Sequence, residues 1–133
     1  QGEALEKRVR PLIESIGMTD KIPADVGDDA QMDQAFAALK ARFGAIDFLV
    51  HAIAFAGKEE LQGSFVANTT REGFRRAMDI SVFSFVDACR RASEMMNPGG
   101  SVVTLTYLGA ERVVPSYNVM GVAKAGLEAA TRY

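Results

Sequence analysis

Apolar residues recur along this chain at two spacings, and the alternation between them sets out the elements. Leu5, Val9, Leu12, Ile13 and Ile16 follow at steps of three or four with Glu, Lys and Arg between them, which predicts an amphipathic helix over residues 2–16. Pro11 conflicts with that helix and predicts a kink, while Gly17 suits its C-cap. Residues 21–26 (KIPADV) read as a short strand. A second helix is predicted over 29–43, with Met32, Phe36, Leu39 and Phe43 on one face, Asp28 or Asp29 as N-cap and Gly44 as stop. Residues 46–53 (IDFLVHAI) form an apolar run without polar alternation, the pattern of a parallel strand covered on both faces. After a loop over 54–68, Thr69 or Thr70 caps a long helix over 71–96 carrying Phe74, Met78, Val82, Phe85 and Cys89, closed by Asn97-Pro98-Gly99-Gly100. A third strand, 101–107 (SVVTLTY), precedes a last helix that starts at Tyr117 and runs to the end of the chain. Helix and strand alternate throughout, so the predicted class is α/β: a doubly wound parallel sheet with helices on both faces.

The ends change the picture of the domain. Residue 1 already stands at the opening of a helix, and Arg132-Tyr133 lie inside a helical pattern with no capping residue. Three strands alone would leave open sheet edges. The expectation is therefore a single domain over 1–133, incomplete at both ends and drawn from the middle of a longer one. The 133 residues are 48% hydrophobic, enough for a core, and the net charge of −2 argues against a nucleic-acid surface. Cys89 is the one cysteine, which excludes an internal disulfide, and its apolar neighbours read as core. His51 is the one histidine, so no metal is expected. No apolar run reaches membrane-spanning length and no leader pattern occurs, so the expected setting is the cytoplasm, with no membrane partner.

In doubly wound sheets ligands bind at the carboxyl ends of strands. The residues there are Asp25-Val26 after the first strand, the small-residue run Ala52–Gly57 after the second, and Thr106, Tyr107, Leu108 and Gly109 after the third. Tyr117 and Lys124 open the last helix at the same edge. Seven residues apart, they share one helix face, roughly 10 Å from each other along the axis. A phenol with a pKa of about 10 beside an ammonium that favours its phenolate can donate to a substrate oxygen while the lysine holds a hydroxylated or anionic group. The alternatives are a packed tyrosine with a snorkelling lysine, a turn aspartate at Asp25, and a core-rim aromatic at Tyr107.

The segments Gln1-Gly2-Glu3, Asp25-Val26, His51-Ala52-Ile53-Ala54-Phe55-Ala56, Thr104-Leu105-Thr106-Tyr107 and Tyr117-Asn118-Val119-Met120-Gly121-Val122-Ala123-Lys124 together resemble the bacterial NADH-dependent enoyl-[acyl-carrier-protein] reductases, a divergent branch of the short-chain dehydrogenase/reductases. The resemblance covers essentially the whole chain. It implies a Rossmann-like NAD-binding domain whose first strand, glycine-rich loop and final strands lie outside these residues. It also implies Tyr107 and Tyr117 as the active-site pair, Lys124 on the nicotinamide ribose, Gln1, Asp25, Val26 and Ile53 on the cofactor, and Ala56 in the acyl pocket beside the tyrosines.

The implied reaction is NADH-dependent reduction of the trans-2 double bond of an enoyl thioester on acyl carrier protein, in fatty-acid elongation. Tyr117 would stabilise the oxyanion, Lys124 would orient the ribose, and Tyr107 would shape the substrate end. A glutamine at Gln1, where a basic residue would suit a 2′-phosphate, favours NADH. The family implies a homotetramer. Two other readings stand beside this one. A short-chain 3-oxoacyl or carbonyl reductase would use Y-x3-K, but Met120 stands four residues before Lys124. A non-catalytic dinucleotide-binding regulator would have no need of both tyrosines and the lysine.

Overall fold

The computed structural model describes residues 3–18 and 20–133. Helix α1 (Glu3–Ser15) continues through Pro11 and ends, as expected, at Gly17, whose φ of 72° admits the left-handed turn that closes it. Helix α2 (Asp29–Phe43) is capped by the Asp28 carboxylate, which accepts from the Gln31 amide at 3.1 Å, and stops at Gly44. Its buried side chains are Met32 and Ala35, whereas Phe43 of the expected face is half exposed.

Residues 21–26 do not form the expected strand: no ladder involves them among the described residues. Pro23 brings no N–H, and the groups of Asp25 are spent on a turn. The Asp25 amide donates to the Gln31 side chain at 3.0 Å, its carboxylate accepts from Gly27 N–H at 3.0 Å, and its carbonyl accepts from Asp28 N–H at 3.0 Å.

Strands β1 (Ile46–His51) and β2 (Met96–Thr104) pair in parallel, with Leu49 opposite Val102 and His51 opposite Thr104. Between them the expected loop holds a 3-10 turn (Glu59–Leu61) and a short helix α3 (Phe65–Asn68). The predicted long helix is real but composite. Helix α4 (Arg71–Met78), capped by Thr70, passes through a π-turn (Asp79–Phe83) into α5 (Ser84–Ser93), with αR backbone at each junction. It ends three residues earlier than expected. The amides of Glu94 and Met95 fall back on i−3 carbonyls, and the Met95 carbonyl accepts from Ile46 N–H at 2.9 Å, which draws Met96 into the sheet. The Asn97–Gly100 segment thus belongs to β2, as a register irregularity. Gly99 has φ 83°, and a Cβ on Gly100 would stand 2.4 Å from Met96 Cγ and 2.9 Å from the Asp47 carbonyl.

β2 also ends at Thr104 and not at Tyr107, for a reason found in the last helix, α6 (Asn118–Arg132). The core lies where α6 crosses the composite helix: Val119, Ala123 and Leu127 are fully buried, as are Ala77 and Ser81 opposite them. Small residues carry this crossing, since a Cβ on Gly126 would meet Met78 Cε at 3.2 Å. Farther along, Arg91, itself buried, joins α5 to α2 by pairing with Asp87 at 2.7 Å and with Asp33. Phe48 and Val50 remain 66% and 53% exposed, so β1 is not covered on both faces within the described residues.

Glu60 is buried with its carboxylate accepting from Thr70 N–H and Oγ1–H at the opening of α4. A Cβ on Gly73 would overlap that carboxylate, 1.4 Å from Oε1. Alanine in a helix gains about 1 kcal/mol over glycine. The Gly73→Ala variant is nevertheless expected to lose about 1–3 kcal/mol net, because Glu60 must abandon both Thr70 bonds to make room. Chemical denaturation of the two proteins measures the difference.

Candidate active site

Beyond Thr104 the chain leaves the sheet because a side chain claims its backbone. The Leu105 carbonyl accepts from Lys124 Nζ at 2.5 Å, across from the second turn of α6. Tyr107 follows in extended conformation, and a 3-10 turn (Leu108–Ala110) folds the loop back onto α6. Two glycines permit the close approach. A Cβ on Gly109 would strike the Tyr117 ring at 2.3 Å, and one on Gly121 would stand 2.7 Å from the Gly109 carbonyl. The helix opening is held in an uncommon conformation, with φ of 59° at Ser116 and 36° at Asn118. Asn118 Nδ2 secures it by donating to the carbonyl of Glu60 at 3.1 Å.

These constraints bring the two tyrosines together. The rings of Tyr107 and Tyr117 meet edge to face, 4.7 Å between centroids at 60°. Tyr107 is about half exposed and Tyr117 is half-buried. The helix proper starts at Asn118, so Tyr117 is its N-cap residue, one position outside the helix expected to begin with it. Lys124 is buried at 7% exposure, its ammonium tied to the segment that leads into Tyr107.

The electrostatics differ from the expected phenolate-favouring pair. Burial, followed by the neighbouring Tyr107, pushes the Tyr117 phenol up from its ordinary value, so it is a protonated hydrogen-bond donor at neutral pH. Burial pulls the Lys124 ammonium down. The imidazole of His51 is pulled down by burial and by the positive charge of Lys124. Its Nε2 stands 2.8 Å from Ser84 Oγ and its Nδ1 3.2 Å from Thr104 Oγ1. The Ser84 hydroxyl also donates to the Ile80 carbonyl at 2.6 Å and the Thr104 hydroxyl to the His51 carbonyl at 3.1 Å, so both ring nitrogens sit against anchored hydroxyls.

The remaining predicted site residues lie around this centre. Ile53, 39% exposed, and Ala56, half-buried, belong to the small-residue run that leaves β1 just after His51. Asp25 and Val26 sit apart in the turn that opens α2, where a Cβ on Gly27 would stand 4.0 Å from Asp79 Oδ2 of the π-turn. Gln1 lies outside the described residues. Beside Tyr117 a cavity of about 420 Å3 opens between Phe65, Val114, Gly121 and Val122; Tyr107, Lys124 and Ala56 do not line it.

With this geometry the chain can be set beside known proteins. The family model described as enoyl-(acyl carrier protein) reductase matches residues 1–133. The chain belongs to that family. Among curated relatives it is 55% identical over 133 residues to enoyl-[acyl-carrier-protein] reductase [NADH] 1 of Rhizobium meliloti, covering 100% of this chain and 48% of that one. It is 49% identical to the NADH enoyl-[acyl-carrier-protein] reductase of Bacillus subtilis, covering 99% and 52%. The crystal structure of the Anaplasma phagocytophilum reductase in complex with NAD superposes with a TM-score of 0.93 at 47% identity, over 99% of this chain and 50% of that chain. That of the Bacillus cereus reductase with NADP+ and indole naphthyridinone gives 0.92 at 46%, over 99% and 52%. The chain thus spans about half the length of the family members it matches. These likenesses also establish the Rossmann-like α/β class, of which β1 and β2 are a parallel pair.

Several residues that hold the candidate site in place are not legible in the sequence. His51 and Asn118 stand in the segments that carry the family resemblance but without a role, and nothing in the sequence marks Ser81, Ser84 or Glu60. Cys89 was read correctly as packing: it is half-buried and its thiol is pushed up by burial.

His51 yields a pH prediction. Its folded value lies below the unfolded one, so the unfolded chain binds more protons and the stability it contributes is complete above about pH 6.5 and lost as pH falls below that. Melting temperature should therefore drop on acidification through that range, and His51→Gln should flatten the drop. An equal drop in the variant would assign it to other groups.

Proposed function

We propose that the protein reduces the trans-2 double bond of enoyl thioesters carried by acyl carrier protein, using NADH, as an oxidoreductase of fatty-acid synthesis. The observation that carries this reading is the edge-to-face contact of Tyr107 with Tyr117, with Lys124 bonded to the same loop. The names of the relatives at about half identity support it, and both curated ones specify NADH.

The residues fit the cofactor. Lys124 has three donors and gives one to Leu105, leaving donors for a ribose diol. In the run Ala52-Ile53-Ala54 the two alanines leave the backbone open to a flat ring and Ile53 offers it an apolar face. Ile53, Lys124, Asp25, Val26 and Gln1 are the residues we assign to the cofactor. When bound, the nicotinamide supplies a hydride for C3 of the enoyl group. Negative charge would then build on the thioester oxygen as an enolate, and a proton taken up at C2 from solvent would complete the reduction. Tyr117, kept protonated by burial, donates to that oxygen, a contribution of about 3–4 kcal/mol for one well-aimed donor in a dry site. Tyr107 packs on Tyr117 and fixes its ring, and Ala56 leaves room for the acyl chain. The nearby Lys124 charge adds to the stabilisation of the enolate. The full reading takes the protein to be a homotetramer in the cytoplasm; no helix among the described residues is long and apolar enough to cross a membrane.

The carbonyl-reductase reading needs a tyrosine where Met120 stands, and Met120 is buried at 6% exposure in the crossing of α6 with the composite helix. The test follows NADH oxidation by the full-length gene product with a trans-2-enoyl thioester and, separately, a 3-oxoacyl thioester. Turnover is expected with the enoyl substrate only, and Tyr117→Phe should lower kcat about 100-fold or more. Turnover of the oxo substrate would make the protein a carbonyl reductase. NADH binding without turnover of either would make it a regulator.

A further inference from the structure

The run Ala52–Ala56 is fastened at both ends to one stretch of the composite helix, the π-turn and the first residue of α5. At its start, His51 Nε2 and Ser84 Oγ share a hydrogen bond at 2.8 Å. Near its end, the Phe55 amide donates to Ser81 Oγ at 3.0 Å, and that oxygen lies 3.3 Å from the Phe55 carbonyl. Both serines are buried, at 0% and 1% exposure. They stand three residues apart on one stretch of helix, a spacing that puts both on one face, Ser81 inside the π-turn and Ser84 at the first position of α5. A third hold comes from Arg76, whose guanidinium lies 4.5 Å over the Phe55 ring. Three residues, Ala52-Ile53-Ala54, bridge the two fastenings and have small or aliphatic side chains of their own. A run of this kind has little to stiffen it, so its backbone course depends on the residues that hold its ends.

We infer that Ser81 and Ser84 are positioning residues for the cofactor: they form a two-point clamp that presets the Ala52–Ala56 arch in its binding conformation. The inference rests on the reading of this edge as the dinucleotide site. The clamp acts before binding by removing conformations that the arch would otherwise lose on engaging the nicotinamide half, so its effect falls on affinity and not on the chemical step. It also links the arch to α6, since Ser81 Oγ approaches Met120 Sδ at 4.0 Å on the helix that carries Lys124.

The test uses the full-length protein with Ser81→Ala, Ser84→Ala, the double variant, and Ser93→Ala as control. Ser93 bonds only the Arg90 carbonyl at the far end of the same helix. NADH affinity, steady-state constants and amide hydrogen exchange are measured for each. Ser81→Ala is expected to speed exchange at the Phe55 amide and to raise Kd and KM for NADH about tenfold, the loss of roughly one well-made hydrogen bond, with kcat within about threefold. The double variant should cost less than the product of the single effects, because both serines hold one arch. Ser93→Ala should leave all three readouts unchanged. Faster Phe55 exchange with unaltered NADH affinity would overturn the clamp while leaving the site assignment standing. Failure of the unsubstituted protein to bind NADH would overturn the site assignment itself.

Discussion

A buried ammonium must be met by oxygen, and in this protein the requirement is met by a backbone carbonyl at the end of a strand. Lys124, 7% exposed, takes the Leu105 carbonyl at 2.5 Å. Left unpaired, such a charge would cost several kcal/mol. That bond ends β2 at Thr104, lifts the following residues out of the sheet, and delivers Tyr107 to the side of Tyr117. Burial of Lys124 also leaves its charge felt by His51, which stays neutral and is free to act as a fixed hydrogen-bonding wedge between β1 and the helix opposite.

The close approach behind this arrangement relies on residues that lack side-chain bulk. Gly109 and Gly121 let the loop after Tyr107 lie on α6, and Gly126 lets α6 cross the composite helix near Met78 and Val82. Ala77 and Ala123 are fully buried at the same crossing. A helix pair this close has no room for the bulky apolar ridge that commonly separates helices. The π-turn is the complementary device. It breaks the regular rise of the helix at Asp79–Phe83, and Ser81 within it and Ser84 just after it both face β1 and the run that leaves it.

Much of the fold could be read from residue spacing, because long apolar periods belong to elements that bury a face. The span of α2, its Asp28 cap and its Gly44 stop matched the pattern, as did the parallel strand at 46–51. The errors fell where side chains compete for backbone groups. Residues 21–26 had strand composition, yet Asp25 and Gln31 bind the backbone that a ladder would need. The ends of α5 and β2 were set by the Met95 carbonyl and by Lys124, partners remote in sequence and silent in any local pattern. At the site, the placing of Tyr107, Tyr117 and Lys124 on one rim followed from the strand order, whereas the pairing of the tyrosines came from the family resemblance and the burial of Lys124 was open between a partnered and a snorkelling lysine. The sign of the Tyr117 shift did not follow, because desolvation of the phenol outweighs the ammonium and only coordinates reveal burial. The hydrogen bonds of Ser81 and Ser84 were likewise out of reach, since a serine carries no hydrophobic period to betray which way it faces.

The account makes the protonated Tyr117 phenol a donor to the oxygen of an enoyl thioester while hydrogen arrives at C3. That claim is tested most directly by following the label from NADH carrying deuterium at C4, with enoyl and 3-oxoacyl thioesters offered together and the products resolved by mass spectrometry. The account predicts a saturated acyl thioester with one deuterium on C3, and an untouched 3-oxoacyl thioester. Deuterium on the carbinol carbon of a 3-hydroxyacyl product, with the enoyl thioester unconsumed, would contradict it.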